Sequence, residues 1–479
     1  MAESISIKKA AIINAAGRYS KVVLALLVNA ILARILSAAD FGVIAVVTVF
    51  TTLFTSLADM GFGTAIVQRK DLSKRQVDDI FTFTVYISGL LALAFSLCGV
   101  PISTFFGDEC YIPLCRLLSV SLFFSSLNMV PNGIMNREKR FKSLALRTVS
   151  VYGISSAVAI ALALCGAGYY SLAWQSLVSA FATFVWNAAS TRTRFTLKFD
   201  WSSVTTVLSY SGFQFAFNLV TYLSDNVANL VTGKLFGSVK LGFYSRAATL
   251  TTYPTTSLAG VITPVLHPIL SDYADDKERI YSAFLRVSKL LAYLGLMVGS
   301  VCFLAADEVV LIMYGDGWGQ SAECLRWLSL VIMPSMMNAS VGGIFQSLGD
   351  TRMLFLNSCI NTVVTFLAIL FGAVSGGDIV TLSKCVGLSR GFHLLSAHYM
   401  LVKLCFEYPL KPFVREYRGV FMALVLHVLA IAAWTITGIE VPGQVLSLAV
   451  KGALLVLLTF VSIVICDDSR LFSMLLRRS

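Results

Sequence analysis

Long apolar runs separated by short polar breaks dominate this chain. A hydrocarbon core about 30 Å thick asks for roughly 20 mostly apolar residues per helix, and by that measure about fourteen segments qualify. They are 11–36, 40–60, 78–105, 111–135, 143–166, 169–190, 204–236, 241–269, 280–304, 319–347, 353–375, 378–403, 416–437 and 442–466. The pattern predicts an all-α integral membrane protein. No connection between segments is long enough to hold a soluble domain. One linker is distinctive, "STRTRFTLKFDWSS" at 190–203, which mixes basic residues with Phe195, Phe199 and Trp201. That mixture predicts a segment lying along the membrane interface. It divides the chain into a first lobe (1–190), the linker (191–203), a second lobe (204–403), and two further spans with a tail (404–479).

Composition agrees. Hydrophobic residues make up 57% and charged residues only 13%, with a mean hydropathy of +0.79. The formal net charge of +11 would by itself suggest a nucleic-acid partner. Its placement excludes one. Basic residues follow the even-numbered spans: Arg69, Lys70, Lys74 and Arg75; Arg137, Lys139, Arg140 and Lys142; Arg192, Arg194 and Lys198; and later Lys277, Arg279, Arg352, Lys403 and Lys411. The opposite loops carry Asp40, Asp108, Glu109, Asp307, Glu308, Asp316, Asp378 and Glu440. Positive loops stay in the cytoplasm, so both termini are expected on the cytoplasmic side of the membrane. The first apolar run lacks a small-residue cleavage site and is read as a retained span. The cysteines fall mostly inside apolar runs and read as small buried residues; Cys110 and Cys115, near one loop, are the pair that could bridge.

An internal repeat is visible. "RILSAADFG" (34–42) aligns with "KLFGSVKLG" (234–242), matching Arg34 with Lys234, Leu36 with Phe236, Phe41 with Leu241 and Gly42 with Gly242. Asn29 falls opposite Asn229 and Ile80 opposite Ile280; "NGIMNREKRFK" (132–142) pairs with "GGIFQSLGDTR" (342–352). An even number of spans separates the copies. The repeat therefore predicts two parallel six-helix lobes plus two extra helices, an arrangement transporters use around a central cavity.

Polar stripes suggest what lines that cavity. In the first span, Asn14, Arg18, Lys21, Ala25 and Asn29 share one helical face. In the seventh, Ser211, Gln214, Asn218, Tyr222, Asp225, Asn229 and Thr232 do the same. Arg18 and Lys21 either face water or snorkel to cytoplasmic headgroups. Arg246 shares a face with Thr249 and Tyr253, and Arg390 lies centrally in its span, with Lys384, His393 and His398 nearby. The candidate anion site is thus Arg18, Lys21, Arg246 and Arg390, since guanidinium forks suit phosphate. Asn14, Asn29, Gln214, Asn218, Tyr222 and Asn229 suit a hydroxyl-rich ligand such as a sugar. Asp225 is the main buried acid. Proline at 254, 264, 268 and 334 predicts bends.

Catalytic signatures are missing. The chain has no P-loop, HExxH or dinucleotide fingerprint, and no cofactor or metal site is expected. Asp78 with Asp79, and Asp275 with Asp276, are read as helix N-terminal caps. No ATP site means that energy comes from an ion gradient, the substrate gradient or downstream consumption.

Three stretches carry a family resemblance: "RILSAADFG" (34–42), "LADMGFGTAIVQRKD" (57–71) and "YLSDNVANLVTGKLFGSVKLGFYSRA" (222–247), with "NREKRFKSLALR" (136–147) in support. They resemble the polysaccharide-transporter branch of the MOP exporter superfamily, the Wzx-type flippases that include colanic acid and teichuronic acid exporters. The resemblance spans roughly residues 10–405. It implies fourteen spans, alternating access, and export of an undecaprenyl diphosphate-linked oligosaccharide for surface polysaccharide such as O-antigen or exopolysaccharide. It implies that cavity cations hold the diphosphate, a role falling on Arg18, Lys21 and Arg246. It implies a lipid-linked substrate, with membrane lipids, glycan polymerase and glycosyltransferases as partners; the sequence shows no oligomerisation feature, and a non-enzymatic monomer is expected. Ion coupling falls on Asp225, although the family's acid position is occupied here by Ala228.

Other readings fit less well. A multidrug antiporter handles mostly cations and calls for carboxylates in excess of buried cations, the reverse of this chain. A lipid II flippase of the same superfamily is to be separated by functional rescue. A membrane glycan polymerase carries a large outer loop, and here the longest, near 305–318, is short.

Overall fold

A computed structural model describes residues 7–59, 62–69, 72–259, 276–348 and 350–466. Every regular element among them is helical. The chain forms two compact units, Met1–Gly242 and Phe243–Ser479.

The first unit contains α1 (Ile7–Ile35), α2 (Ala38–Asp59), the short α3 (Phe62–Gln68), α4 (Lys74–Phe106), α5 (Tyr111–Leu127), α6 (Met129–Arg137), α7 (Phe141–Leu164), α8 (Tyr169–Thr191) and most of α9 (Trp201–Pro254). Apolar periodicity builds these helices and local chemistry sets their ends. Ser73 caps α4: its hydroxyl accepts from the Gln76 N–H at 3.3 Å, while the Gln76 carboxamide accepts from the Ser73 N–H at 2.9 Å. Gly107, left-handed at φ 77°, closes the other end. Along α4, Leu90, Leu93, Leu97 and Val100 are exposed on one face, as expected of a stripe meeting acyl chains, while Ser88, Phe95 and Gly99 are buried. The span expected at 111–135 breaks after Leu127. Pro131 has no N–H to return to the Leu127 carbonyl, and α6 begins there.

Asp78 and Asp79 are not caps, since Ser73 does that work a turn earlier. They hold the linker instead. Asp78 accepts from the Arg194 N–H at 3.0 Å, Thr82 from the Thr196 N–H at 3.1 Å, and the Tyr86 hydroxyl donates to the Leu197 carbonyl at 3.0 Å. These three positions are one helical turn apart on α4. Buried Asp79 accepts from the Ser203 hydroxyl at 3.1 Å. Phe195 packs on Tyr86, and Phe199 and Trp201 on Phe83.

Residues 204–242 pack within the first unit. Val204 joins the cluster of Phe62, Ile66, Ile80 and Val130. The repeat also has a structural expression. Helix α1 gives way to α2 around Ser37, where Ser37 and Asp40 satisfy each other's N–H groups. At the matching position α9 breaks, at Gly237 (φ 82°, ψ 174°), a conformation open to glycine. The two copies touch reciprocally. A Cβ on Gly42 would strike the Ser238 carbonyl, and one on Gly242 the Ala38 carbonyl.

The second unit contains the end of α9, a π turn (Thr255–Ala259), α10 (Lys277–Leu304), α11 (Ala306–Tyr314), α12 (Gly319–Leu328), α13 (Ile332–Ser347), α14 (Thr351–Gly376), α15 (Ile379–Tyr399), a second π turn (Met400–Cys405), α16 (Leu410–Glu416), α17 (Arg418–Thr437) and α18 (Gln444–Ile465). Asp276 caps α10 as expected, accepting from the Arg279 N–H at 3.0 Å; Asp275, Pro264 and Pro268 lie outside the described residues. The expected bend at Pro334 is a 3-10 turn over Ser329–Val331, since the proline leaves the Leu330 carbonyl without its helical donor. Helix α10 is the centre of this unit. Leu291 meets Ile332 and Met336 of α13. His427 of α17, fully buried, contacts Ser300 of α10 at 2.9 Å and the Leu455 carbonyl of α18 at 3.0 Å. Glu308 of α11 is not a free outer-loop acid: it is buried in an ion pair with Lys451 of α18 and accepts from the Ser447 hydroxyl at 2.6 Å. The last two helices are thereby fastened to α10 and α11.

Among the described residues nine helices, counting α5 with α6 and α12 with α13 as single spans, are long and apolar enough to cross a membrane. Helices α8 and α15 have the length but carry more polar positions. All ten cysteines are free, Cys110 and Cys115 included.

Candidate substrate-binding site

The first unit contains an open cavity of about 410 Å³ walled by three helices. From α2 come Thr48, Thr51, Thr52 and Thr55, at the i, i+3, i+4, i+7 spacing of one helical face. From α5 come Ser121 and Ser125, with Asn128 just past its end, and from α8 Ser176, Ser179 and Thr183. Leu118 and Ala180 complete the wall. Thr51 and Thr55 donate to their own helix, to the Val47 and Thr51 carbonyls at 2.9 and 2.8 Å. Ser121, only 4% exposed, is the most deeply set of the α5 serines in this wall.

A polar chain leads from this cavity to a cation. Arg147 of α7 donates through Nη1 to the Asn132 Oδ1 at 3.0 Å and the Asn187 Oδ1 at 2.8 Å. Asn187, fully buried, passes its own Nδ2 to the Asn128 Oδ1 at 2.7 Å. Arg147 forms no ion pair among the described residues.

The residues singled out from sequence are distributed as follows. Lys21 is exposed on α1, with its ammonium 5.9 Å from the centre of the Tyr152 ring on α7. Asn29 turns its amide back to the Ala25 carbonyl at 2.8 Å. The side chains of Asn14, Arg18, Gln214 and Asn218 lie outside the described residues. The Tyr222 hydroxyl donates to the Val49 carbonyl and also meets Thr52, so it adjoins the hydroxyl cavity. Asp225, expected to be buried, is exposed, and Asn229 is half-buried. In the second unit Arg246 is half-buried, and its carbonyl accepts from the Tyr314 hydroxyl at 3.2 Å. Arg390 is half-buried beside buried Tyr244 and His393. His393 sits between the amides of Asn338 and Asn357 at 3.1 and 3.3 Å, and no group of three metal-ligating side chains occurs among the described residues.

The Ser and Thr faces of α2, α5 and α8, with Arg147 and Asn187, are what a reading by charge and amide content passes over. Their helical spacing was a usable signal. Their convergence was not.

The fold is that of a membrane transporter. The structure of the lipid II flippase MurJ in an inward closed conformation superposes with a TM-score of 0.76 at 12% identity, covering 95% of this chain and 99% of that one. An inward-facing multidrug resistance MATE family transporter of the MOP superfamily gives 0.65 at 17% identity, over 86% and 95%. Within that class, the chain belongs to the family described as "Polysaccharide biosynthesis protein", whose match spans residues 31–323. Among curated relatives, the teichuronic acid biosynthesis protein TuaB of Bacillus subtilis is 24% identical over 76% of this chain and 77% of its own length. The lipopolysaccharide biosynthesis protein WzxC of Escherichia coli is 24% identical over 76% and 73%. The succinoglycan biosynthesis transport protein ExoT of Rhizobium meliloti is 24% identical over 72% and 70%.

Proposed function

We propose that this protein is a non-enzymatic flippase. It moves an undecaprenyl diphosphate-linked oligosaccharide across the bacterial cytoplasmic membrane by alternating access, for surface polysaccharide synthesis. The observation that carries this reading is membership of a polysaccharide biosynthesis family together with the fold of a flippase for another lipid-linked precursor. The chemistry is compatible. A diphosphate is matched by cations, and Arg18, Lys21, Arg246 and Arg390 are the candidates. The glycan needs neutral donors and acceptors, which Tyr222, Asn229 and the hydroxyl cavity offer. Asp225 is the candidate for ion coupling. Both termini are placed in the cytoplasm, and the protein works as a monomer alongside a glycan polymerase and glycosyltransferases.

The test is genetic and biochemical. Deleting the gene should abolish the surface polysaccharide and leave lipid-linked repeat units on the inner leaflet. An Arg246→Ala/Arg390→Ala variant, present in the membrane at normal level, should fail to restore export. Full export from that variant would overturn the role of the cations. An intact surface polysaccharide in the deletion strain would overturn the function itself, and drug sensitivity or loss of lipid II transport in its place would assign the protein to the other branches of the fold.

A further inference from the structure

We infer that the hydroxyl-walled cavity of the first unit is the subsite for an uncharged sugar ring of the transported glycan, and that Arg147 sets the donor at its end by fixing the Asn128 carboxamide. This rests on the flippase reading and specifies where in the protein the glycan is recognised.

The cavity volume of about 410 Å³ lies in the range of small-molecule sites, roughly 300–1,000 Å³. Its chemistry is one-sided. Nine of the twelve lining residues are serines and threonines, one is an asparagine, and none carries a charge. A hydroxyl donates one hydrogen bond and accepts two, the same capacity as each hydroxyl of a pyranose. Ser121 has only 4% of its surface exposed and still lines the void. Hydroxyls covered by an occupant that cannot pair with them cost free energy, so such a wall favours an occupant that can. An apolar occupant would strand these groups. A diphosphate would meet no cation here, because Arg147 reaches the cavity only through two amides.

The amide chain has a direction. A guanidinium can only donate, so Asn187 must turn its oxygen to Arg147. Its nitrogen then points at Asn128, whose oxygen must accept. What remains for the cavity is the Asn128 Nδ2, a donor, which has no partner among the described residues. Arg147 is therefore a positioning residue. It fixes a donor at the end of the pocket without touching the occupant.

The experiment uses the full chain in lipid nanodiscs. Ser125→Cys is close to isosteric and provides a thiol within the wall. Alkylation at residue 125 is followed by peptide mass spectrometry, which separates it from the native cysteines. The probes are the methyl pyranosides of glucose, galactose and mannose, with pyrophosphate as the anion. At least one pyranoside should slow alkylation about fivefold when in excess, and pyrophosphate should not. Protection by pyrophosphate alone, or by no probe, overturns the proposal. In the same background Arg147→Lys, still a pure donor, should retain protection. Arg147→Gln, which can accept as well as donate, should lose it with the melting temperature unchanged. Equal protection in both variants overturns the positioning role. In cells, Ser121→Ala/Ser125→Ala/Ser179→Ala at normal membrane level should lower surface polysaccharide about tenfold, the summed effect of a few hydrogen bonds. Full output from it sinks the subsite while leaving the flippase reading intact. Normal polysaccharide in the deletion strain sinks the flippase reading, and with it the assignment of the pocket to a transported glycan.

Discussion

Gly42 packs against the carbonyl of Ser238, and the relationship is returned one repeat later, where Gly242 packs against the carbonyl of Ala38. Residues 38 and 238 are repeat equivalents, as are 42 and 242. The two copies therefore meet through the same surface used twice. Gly42→Ala should lower stability by about 2 kcal/mol, since an added methyl must move backbone rather than a flexible side chain. Gly242→Ala should cost a similar amount. The double variant should cost less than the sum, because the first substitution already opens the shared contact. Thermal melting of the four proteins in one detergent checks this, and strict additivity would refute a common contact.

The ion pair of Glu308 and Lys451 predicts an acid dependence. Burial pushes the Glu308 carboxyl up, but the hydrogen bonds from Lys451, Ser447 and its own backbone N–H, with the charge of Lys451, hold the group below its ordinary value. A lowered folded value means that the stabilisation is complete above the carboxylate range of the unfolded chain. It is lost as pH falls through the folded value. Wild type should therefore lose melting temperature below about pH 4, more steeply than Glu308→Gln. At neutral pH, Glu308→Ala should cost about 3 kcal/mol by stranding the Lys451 ammonium. Parallel melting curves for wild type and Glu308→Gln across this range would be inconsistent with the pair.

Asp79 predicts a local effect. Asp79→Ala leaves the Ser203 hydroxyl without its acceptor and should cost about 1–2 kcal/mol. The loss should appear first as proteolysis within 190–203, ahead of global unfolding. Limited proteolysis followed by mass spectrometry reads it; an unchanged cleavage pattern would mean that the linker is held by its other contacts.

Orientation can be checked with one native thiol. Cys165 at the end of α7 is the exposed one of the ten free cysteines, and Gly168 nearby approaches the Asp40 carboxylate. The charge pattern puts this end outside. An impermeant maleimide should label Cys165 in intact spheroplasts. A cysteine at Leu197, highly exposed on the linker, should react only after permeabilisation. The opposite result would invert the topology.

The fold was legible because lipid imposes one strong rule, and apolar runs located α2, α4, α7, α17 and α18 within a few residues. Pro334 announced the break in its span for a stated reason, a missing N–H; Pro131 breaks its own span by the same cause and was passed over. The site was less legible. Arginines and amides stand out in apolar runs, so Arg246, Arg390 and Tyr222 drew attention. Serines and threonines do not, since many are satisfied by their own helix, as Thr51 and Thr55 are. That three hydroxyl faces from α2, α5 and α8 share one void depends on how the helices pack, and no single helix encodes that. Asp78 and Asp79 were misassigned for the same cause. Their partners lie more than a hundred residues away, in the linker.

The contacts that Asp78, Thr82 and Tyr86 make with the linker go to its amide and carbonyl groups at 194, 196 and 197. Its path is thus held by main chain together with the rings of Phe195, Phe199 and Trp201 and the Ser203 hydroxyl, and Arg192, Arg194 and Lys198 can be exchanged or reversed in sign without rerouting it. The length of this segment is under stricter control than its spelling: a single inserted residue would put the ladder out of step, whereas wholesale recolouring of its charge would not.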